Sequence, residues 1–279
     1  MSGYSLDGRV VAITGSTGGL GSAVCRALIA KGARLALFDM NLDAVQEQAK
    51  ELGTSAHGWE VNVRSMESIQ TAMDEAAKLF GGIDIVIAGA GITAFEPLVC
   101  GDPNTFDRVI DINVNGLWRT FRAGVEHVVK RKGYLMAISS MAAFSQSPLQ
   151  ASYTGSKAAV WAICNSIRLE LRHMDVGVGS VHPTFFHTPM MDQAFNSGAG
   201  NKIWKGNKSG IFKMVALEEV VSGIIGGIEK RSDMVFVPKS NSLVAHAPRF
   251  FRKVVESREY KDHEVAAMIM AAKQEAAAR

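Results

Sequence analysis

A tyrosine and a lysine four residues apart are the side chains of this sequence best suited to acid–base chemistry. Tyr153 and Lys157 stand at the ends of the segment YTGSK. They fall within a predicted helix over 151–174, where residues at i and i+4 share one face. A free phenol has a pKa of about 10 and is a poor base at neutral pH, but a neighbouring ammonium stabilises the phenolate. The pair therefore predicts proton transfer by Tyr153, with its pKa lowered by Lys157.

A glycine-rich segment near the start of the chain predicts a phosphate-binding turn. TGSTGGLG at 14–21 follows a predicted strand at 9–14 and leads into a predicted helix at 19–31. Glycines let the backbone approach a pyrophosphate closely, and the helix N-terminus directs free N–H groups towards that anion. A glycine-rich turn without a ligand is the alternative. The position between the first strand and a helix favours a dinucleotide site.

An acid at the end of the second predicted strand predicts which dinucleotide binds. Asp39 follows Gly21 by eighteen residues, where a carboxylate accepts hydrogen bonds from the adenosine ribose and repels a 2′-phosphate. Neither the residue after Asp39 nor the glycine segment supplies a Lys or Arg to offset that charge. NAD is therefore predicted over NADP. A turn or helix-capping role for Asp39 is the alternative, because Asn41 and Asp43 follow it.

The elements that position these residues alternate regularly between strand and helix patterns. Strands are predicted at 9–14, 33–38, 55–61, 83–88, 133–139, 176–182 and 234–237, and helices at 19–31, 42–52, 65–80, 104–130, 151–174 and 217–229. Several of the strands are apolar on both faces, as in a parallel sheet covered by two helical layers. The predicted fold class is α/β, a single doubly wound parallel sheet of about seven strands with helices on both faces. Strand 133–139 then brings Ser139 and Ser140 to the edge where such sheets bind ligands.

Composition excludes several other kinds of protein. A formal net charge of +3 over 279 residues gives no basis for a nucleic-acid partner. The sequence has no apolar stretch of about 18 residues and no signal-type start, which predicts a cytoplasmic protein. Its three cysteines are far apart, as expected of free thiols in a reducing compartment. Its seven histidines show no ligand spacing, so no metal site is predicted.

These motifs, in this order, resemble those of the short-chain dehydrogenase/reductase family over roughly residues 6–240. The family's T-G-x-x-x-G-x-G is matched by Thr14, Gly15, Gly19 and Gly21. Its helix-borne asparagine motif is matched by DINV at 111–114, which points to Asn113. Its catalytic serine stands about thirteen residues before the tyrosine, which selects Ser140 over Ser139. The resemblance implies a Rossmann-type fold and hydride transfer between nicotinamide and a secondary alcohol or ketone.

The resemblance also implies a role for each residue of the tetrad. Tyr153 is the general acid/base, and Lys157 lowers its pKa and holds the nicotinamide ribose. Ser140 donates a hydrogen bond to the reacting oxygen, and Asn113 holds a water that links Lys157 to solvent. The implied cofactor contacts are Gly15, Thr17, Gly19, Leu20, Gly21, Asp39, Met40, Asn62, Val63, Ala88, Gly89, Ala90, Tyr153, Lys157, Pro183, Thr184, Phe186 and Thr188.

Three positions depart from the family pattern. The family's N-N-A-G appears as AGAG at 88–91, so both amide side chains are missing, and a looser sheet centre is expected. The usual Asp of the third-strand motif is Asn62, whose amide oxygen is still expected to accept from the adenine amino group. The family's P-G is Pro183-Thr184, which adds a side chain near the nicotinamide.

The second half of the chain predicts a lid and a helical tail. Residues 1–240 are expected to form one domain, with a substrate lid at about 184–215. The lid's apolar residues suggest a bulky lipophilic substrate, although they could equally pack the lid onto the body: Phe185, Phe186, Met190, Met191, Phe195, Trp204, Phe212 and Met214. Residues 241–279 are expected to pack on the same domain or on a neighbouring subunit. Membrane contact is the alternative, because Phe250, Phe251, Val254 and Val255 predict one apolar helix face beside basic residues.

The sequence leaves alternatives for both the assembly state and the functional class of the protein. The family pairs its helices at 104–130 and 151–174 across two-fold axes, which predicts a homotetramer or a dimer. Helix 104–130 offers Val109, Ile112, Leu117 and Phe121 for such contacts, although some of them must face the sheet. A dinucleotide-binding sensor or scaffold is the alternative from another functional class. Within the enzymes, an isomerase, dehydratase or epimerase is the alternative.

Overall fold

The fold was analysed in a computed structural model that describes residues 3–188 and 213–277, the side chains of 275–277 excepted. Most of the substrate lid predicted at about 184–215 lies outside these residues. So do five of the lid residues named above: Met190, Met191, Phe195, Trp204 and Phe212. The described segments before and after residues 189–212 lie close together, because Val215 N–H donates to the Phe185 carbonyl at 2.9 Å.

The described residues form one seven-stranded parallel sheet. Its strands are β1 (Val10–Thr14), β2 (Arg34–Asp39), β3 (Ala56–Glu60), β4 (Ile85–Ala88), β5 (Tyr134–Ile138), β6 (Gly177–Pro183) and β7 (Met234–Val237). They lie in the order β3-β2-β1-β4-β5-β6-β7, and all neighbours are parallel. The order reverses between β1 and β4, which opens a crevice at the carboxyl ends of the strands. The fold-class prediction is confirmed.

The helices connect the strands and cover both faces of the sheet. Their bounds are α1 (Gly19–Ala30), α2 (Leu42–Leu52), α3 (Met66–Phe80), α4 (Pro103–Ile110), α5 (Gly116–Arg131), α6 (Ala151–Leu171), α7 (Leu217–Glu229), α8 (Ser242–His246), α9 (Pro248–Glu259) and α10 (Asp262–Ala277). Side-chain caps begin three of them, because Asn41, Ser65 and Asp102 each accept a backbone N–H of the first turn of α2, α3 and α4.

Strand β1 shows how alternation builds two core layers. Val10 and Ala12 pack on one face with residues of α3, α5 and α6, whereas Val11 and Ile13 pack on the other with residues of α1, α2 and α7. All four side chains are buried. The central strand of the sheet is therefore apolar on both sides.

The prediction of one uninterrupted α-helix over 104–130 is wrong. A π-helical turn at Asp111–Asn115 separates α4 from α5. Single π turns insert one extra residue into a helix and occur often at functional sites. Here the turn contains Asn113, which is buried and hydrogen-bonded to two other segments.

The apolar residues predicted to join subunits mostly face inward. Val109, Leu117 and Phe121 are at most 5% exposed and belong to the chain's own core, so these are the residues of the four that face inward. The large apolar side chains that α4, α5 and α6 leave exposed are instead Phe106, Trp118 and Leu169. Helix periodicity alone could not show which apolar stripe faces the sheet.

The tail lies against the body, and its predicted single apolar face is divided. Phe251 packs beside Phe144, and Met268 packs on Leu149 together with Phe95 and Phe185. Phe250, by contrast, is 84% exposed. Among the described residues no helix is both long and apolar enough to cross a membrane.

Candidate functional site

A cavity of about 590 Å³ opens at the carboxyl ends of the central strands. It runs from the glycine segment past Asp39 to Tyr153 and Lys157. Of the residues predicted from the sequence, it is lined by Gly15, Thr17, Gly19, Leu20, Gly21, Asp39, Met40, Asn62, Val63, Gly89, Ala90, Ser140, Tyr153, Lys157, Pro183, Thr184, Phe186 and Thr188. Two predicted residues, Ala88 and Asn113, do not line it. Ala88 is 5% exposed and lies within the sheet between Thr14 and Ala137, so the structure gives no support for a cofactor contact there.

The glycine segment leaves no room for a side chain at Gly15 and Gly21. Gly15 has φ +72°, and a Cβ there would lie 2.9 Å from the Ala90 backbone. A Cβ at Gly21 would lie 2.1 Å from the Gly15 carbonyl oxygen. Helix α1 begins next to this turn without a side-chain cap and without an acid in its first turn. Its first N–H groups and the positive end of its dipole therefore suit an anion.

Asp39 ties the end of β2 to the glycine segment. Its carboxylate accepts the backbone N–H of Thr17 at 3.0 Å and that of Met40 at 2.8 Å. These bonds fix a negative charge at the edge of the cavity. They also leave lone pairs on both oxygens for ribose hydroxyls.

The AGAG segment is held by a hydroxyl in place of the missing amides. Thr14 Oγ1 lies 3.2 Å from Gly89 N and 3.4 Å from Ala90 N, and it accepts both N–H groups. A Cβ at Gly89 would lie 2.8 Å from the Thr14 carbonyl oxygen, so the glycine permits this close approach. The bonds from Thr14 do not support the looser sheet centre expected from the sequence.

Asn113 holds the residue that follows this segment, Ile92, through hydrogen bonds to its backbone. Its side-chain oxygen accepts Ile92 N–H at 2.8 Å, and its amide nitrogen donates to the Ile92 carbonyl and to Ser156 Oγ, both at 2.9 Å. Both amide N–H donors are thereby used. The side chain thereby links the segment after β4 to α6, and the water-binding role stays a prediction.

Asn62 and the unpredicted Arg64 shape the far end of the cavity. The Asn62 side-chain oxygen accepts Arg64 N–H at 3.0 Å, which leaves one lone pair for the adenine contact expected from the sequence. Arg64 lines the cavity and pairs with Asp111 at 2.7 Å. Hydrogen bonds from Arg64 above all hold the pKa of Asp111 down at about 2.

The structure brings Ser140, Tyr153 and Lys157 together. The Ser140 hydroxyl lies beside the Tyr153 phenol and acts to lower its pKa, and its Oγ accepts Ala142 N–H at 3.1 Å. Lys157 Nζ lies 5.6 Å from the centre of the Tyr153 ring and donates to the Ile138 carbonyl at 2.8 Å. Ser139 Oγ instead donates to the Lys157 carbonyl at 2.9 Å, which is a structural bond. These contacts explain why Ser140 rather than Ser139 faces the phenol.

Burial is the main cause of the pKa shifts of Tyr153 and Lys157. It raises the pKa of Tyr153, with the hydrogen bond from Ser140 opposing the rise, and it lowers the pKa of Lys157 to about 8. The prediction that Lys157 brings the pKa of the phenol down is thus not met by the protein's own groups, because desolvation is the larger effect. A phenol that keeps its proton is suited to donating it to a substrate oxygen.

His182 is the residue near the tetrad that sequence analysis missed. It is fully buried in β6, stacks on Phe236 and packs beside Phe144. Its ring nitrogens lie 2.8 Å from Ser180 Oγ and 3.3 Å from the Ser140 carbonyl oxygen. Burial lowers the pKa of His182 to about 4, so the ring is neutral at physiological pH. Its position next to Pro183 was the sequence signal that could have drawn attention to it.

The other unpredicted cavity residues lie near Tyr153 in the sequence or on the loops that face it. Ile92, Phe95, Met141, Ala142 and Phe185 give this end apolar walls. Gln150 is buried there, and its side-chain oxygen accepts a hydrogen bond from Ser147 at 2.6 Å. Within residues 3–188 and 213–277 there is no cluster of His, Cys, Asp and Glu that could hold a metal ion.

Comparison with known proteins gives matches that agree with one another. A family model described as short chain dehydrogenase matches residues 9–198. A 2-dehydro-3-deoxy-L-rhamnonate dehydrogenase (NAD(+)) of Sphingomonas sp. is 33% identical over 188 residues, 67% of this chain and 75% of that protein. A (-)-trans-carveol dehydrogenase of Rhodococcus erythropolis is 32% identical over 204 residues, with 67% and 74% covered. A short chain dehydrogenase/reductase of Burkholderia phymatum, solved in complex with NAD, superposes with a TM-score of 0.78 at 21% identity and covers 89% of this chain and 97% of its own.

Proposed function

The chain belongs to the short-chain dehydrogenase family, and from this premise we propose that it is an NAD-dependent oxidoreductase acting on a secondary alcohol or its ketone. The observation that carries the proposal is the placement of Ser140, Tyr153 and Lys157 in one cavity with the glycine segment and Asp39. The experiment is a screen of secondary alcohols and ketones with NAD(H) and NADP(H), followed by NADH absorbance.

The residues present fit a dinucleotide. The side-chain-free surface at Gly15 and Gly21 and the uncapped start of α1 suit a pyrophosphate, and the Asp39 carboxylate suits a ribose diol. Lys157 would hold the second ribose, and the segments at 89–90 and 183–188 would line the nicotinamide end. When bound, the cofactor supplies the hydride acceptor for alcohol oxidation or the hydride donor for ketone reduction.

The chain's own groups move the proton. In ketone reduction the Tyr153 O–H bond breaks and its proton passes to the carbonyl oxygen, as that carbon gains the hydride. Ser140 donates a hydrogen bond to the same oxygen while negative charge develops on it. Lys157 stabilises the resulting phenolate until it regains a proton. Alcohol oxidation runs through the same contacts in reverse, so oxidation should speed up and reduction slow down as the pH rises.

The cost of burying Lys157 favours an enzyme over a sensor or scaffold. An ammonium that is 7% exposed and has its pKa lowered to about 8 destabilises the folded chain at neutral pH. A chain that only binds a dinucleotide could use this charge at the ribose, but it would have no use for the buried phenol and the serine hydroxyl beside it. Strained or desolvated ionisable groups of this kind are typical of catalytic sites.

Apolar walls favour a lipophilic substrate. Ile92, Phe95, Met141 and Phe185 face the cavity near Tyr153, whereas Gln150 and Ser147 add polar groups on one side. A cyclic or branched ketone with one further oxygen atom fits this mixture of groups. In the screen, kcat/KM should rise from acetone to cyclohexanone and then to bicyclic ketones, and a preference for the smallest ketone would contradict the proposal.

Exchange of the charge at Asp39 should change cofactor preference. We expect wild-type kcat/KM to favour NAD, because the fixed carboxylate repels a 2′-phosphate by a few kcal/mol. Replacing Asp39 by Ala together with Met40→Arg should narrow or reverse the NAD/NADP ratio. Met40→Ala, which removes a side chain that is 69% exposed but keeps the carboxylate, is the control. Equal use of both cofactors by the wild type would show that Asp39 does not select between NAD and NADP.

We also propose that the protein is a homo-oligomer, paired through α4, α5 and α6. Exposed apolar side chains grouped on a few helices suit a subunit interface. Trp118→Asp, at a position 52% exposed, should lower the mass measured by light scattering at micromolar concentration. Leu79→Asp, at a position 56% exposed on α3, should leave the mass unchanged. A monomeric wild type would overturn this part of the proposal.

A further inference from the structure

We propose that His182 is a positioning residue for Ser140: its Nδ1–H holds the carbonyl of Ser140, and Ser180 fixes the ring in the tautomer that can do so. The inference rests on the proposed function, because it concerns how the serine that faces Tyr153 is held. It adds a residue of β6 that does not itself line the cavity.

The tautomer follows from the two partners. The Ser140 carbonyl oxygen, 3.3 Å from Nδ1, can only accept, so Nδ1 must carry the hydrogen. In a neutral ring Nε2 then has a free lone pair, and it accepts the hydroxyl hydrogen of Ser180 at 2.8 Å. The ring is neutral because burial lowers the pKa of His182 to about 4. All polar atoms of the imidazole are satisfied in this one arrangement.

The ring is also fixed in position. Phe236 stacks on it at 5.4 Å between ring centres with a 25° angle between planes, and Phe144 lies 4.9 Å away on a tilted plane. His182 itself is 0% exposed. A side chain held by two rings and two hydrogen bonds is a rigid support for the backbone it contacts.

That backbone is the turn that carries the catalytic serine. The Ser140 carbonyl also accepts Ala143 N–H at 3.1 Å, and Ser140 Oγ accepts Ala142 N–H at 3.1 Å. Ser140 stands at the start of a 3₁₀ turn over Met141–Ala143 with extended backbone angles. Without the His182 bond the 140–141 peptide is held by the turn alone. The direction of the Ser140 hydroxyl towards the phenol then becomes less fixed, which affects turnover more than binding.

Matched substitutions separate the hydrogen bond from the packing. The amide nitrogen of Asn can occupy the position of Nδ1, whereas that of Gln reaches only the position of Nε2. We expect His182→Asn to keep kcat within about twofold of wild type, and His182→Gln and His182→Phe to lower it about five- to tenfold, the range of one neutral hydrogen bond. The Kd for NADH should be unchanged in all three. His246→Gln is the control, because His246 also packs on Phe236 and its Nδ1 lies 2.7 Å from the Ser242 carbonyl, outside the cavity.

Nitrogen NMR tests the inference without any substrate. In ¹⁵N-histidine-labelled wild-type protein, the resonances of His182 should be those of the tautomer protonated at Nδ1. Ser180→Ala removes the hydroxyl that donates to Nε2, so the ring should be held less firmly and kcat should fall, but by less than in His182→Gln because the Nδ1 bond to the Ser140 carbonyl remains. An Nε2-protonated ring in the wild type, or equal kcat in the Asn, Gln and Phe variants, would overturn the inference. Tyr153→Phe, measured in parallel, separates the two proposals: if it is inactive while every His182 variant is fully active, only the His182 inference fails.

Discussion

Tyr153→Phe should lower turnover about 10²- to 10⁴-fold, the range contributed by a positioned proton-transfer group. The substitution removes one oxygen atom and keeps the ring, so the Kd for NADH and the Tm should change little. kcat for both oxidation and reduction is the measurement, with Tyr260→Phe as the matched control. Tyr260 is also a buried tyrosine, but it lies in the tail beside Ser147 rather than beside Lys157.

Near-normal turnover in Tyr153→Phe would refute the mechanism assigned to Tyr153. A loss confined to KM would instead indicate that the phenol binds substrate without transferring a proton. The pH profile provides a further check, because the rise in alcohol oxidation with pH should disappear in the variant. The wild-type rise reflects the form of Tyr153 that can accept a proton.

Lys157→Met should abolish most turnover and weaken NADH binding, yet stabilise the folded chain. Lys157 is assigned to the phenolate and to the ribose together, so kcat should fall and the Kd for NADH should rise. Its burial shifts its pKa from 10.5 to about 8. Holding that charge at neutral pH therefore costs on the order of 3 kcal/mol. Met has similar length and no charge, so the Tm at pH 7 should rise by several degrees.

The pH dependence of the free energy of unfolding should show that the buried Lys157 charge is destabilising. Between pH 8 and pH 10.5 the unfolded chain binds more protons at Lys157 than the folded chain does. Wild-type stability should therefore gain a contribution as the pH rises through this window, and Lys157→Met should lack it. Urea unfolding at pH 7 and pH 10 measures both. A Met variant less stable than wild type at pH 7 would show that the Ile138 bond outweighs desolvation.

Strand and helix positions could be predicted because their signals are local. The buried runs of β1 and β4 are apolar on both faces, and the glycine segment stands between a strand and a helix, so topology followed from alternation and handedness. The π turn at Asp111–Asn115 could not be predicted in this way. It depends on Asn113 meeting Ile92 and Ser156, which are distant in sequence.

The site was predictable where one motif places one residue, and not where burial decides. Tyr153 and Lys157 share a helix face by spacing alone, but the rise in the pKa of the phenol depends on how much water the fold excludes. His182 carries no motif, because its partners Ser140, Phe144 and Phe236 come from two other segments that are distant in sequence. Ala88 shows the opposite error, since a motif position was transferred to a residue that lies inside the sheet.

Transfer of a label from the cofactor to a substrate carbon tests the central claim most directly. Wild-type protein and Tyr153→Phe would each be mixed with NADH deuterated at the transferring position and with the best cyclic ketone of the screen, and the alcohol examined by mass spectrometry and NMR. The account predicts deuterium on the carbinol carbon with the wild type, and at least about a hundredfold less with Tyr153→Phe although it binds NADH equally well. Absence of label with the wild type across the whole screen, or equal label from both proteins, would contradict it.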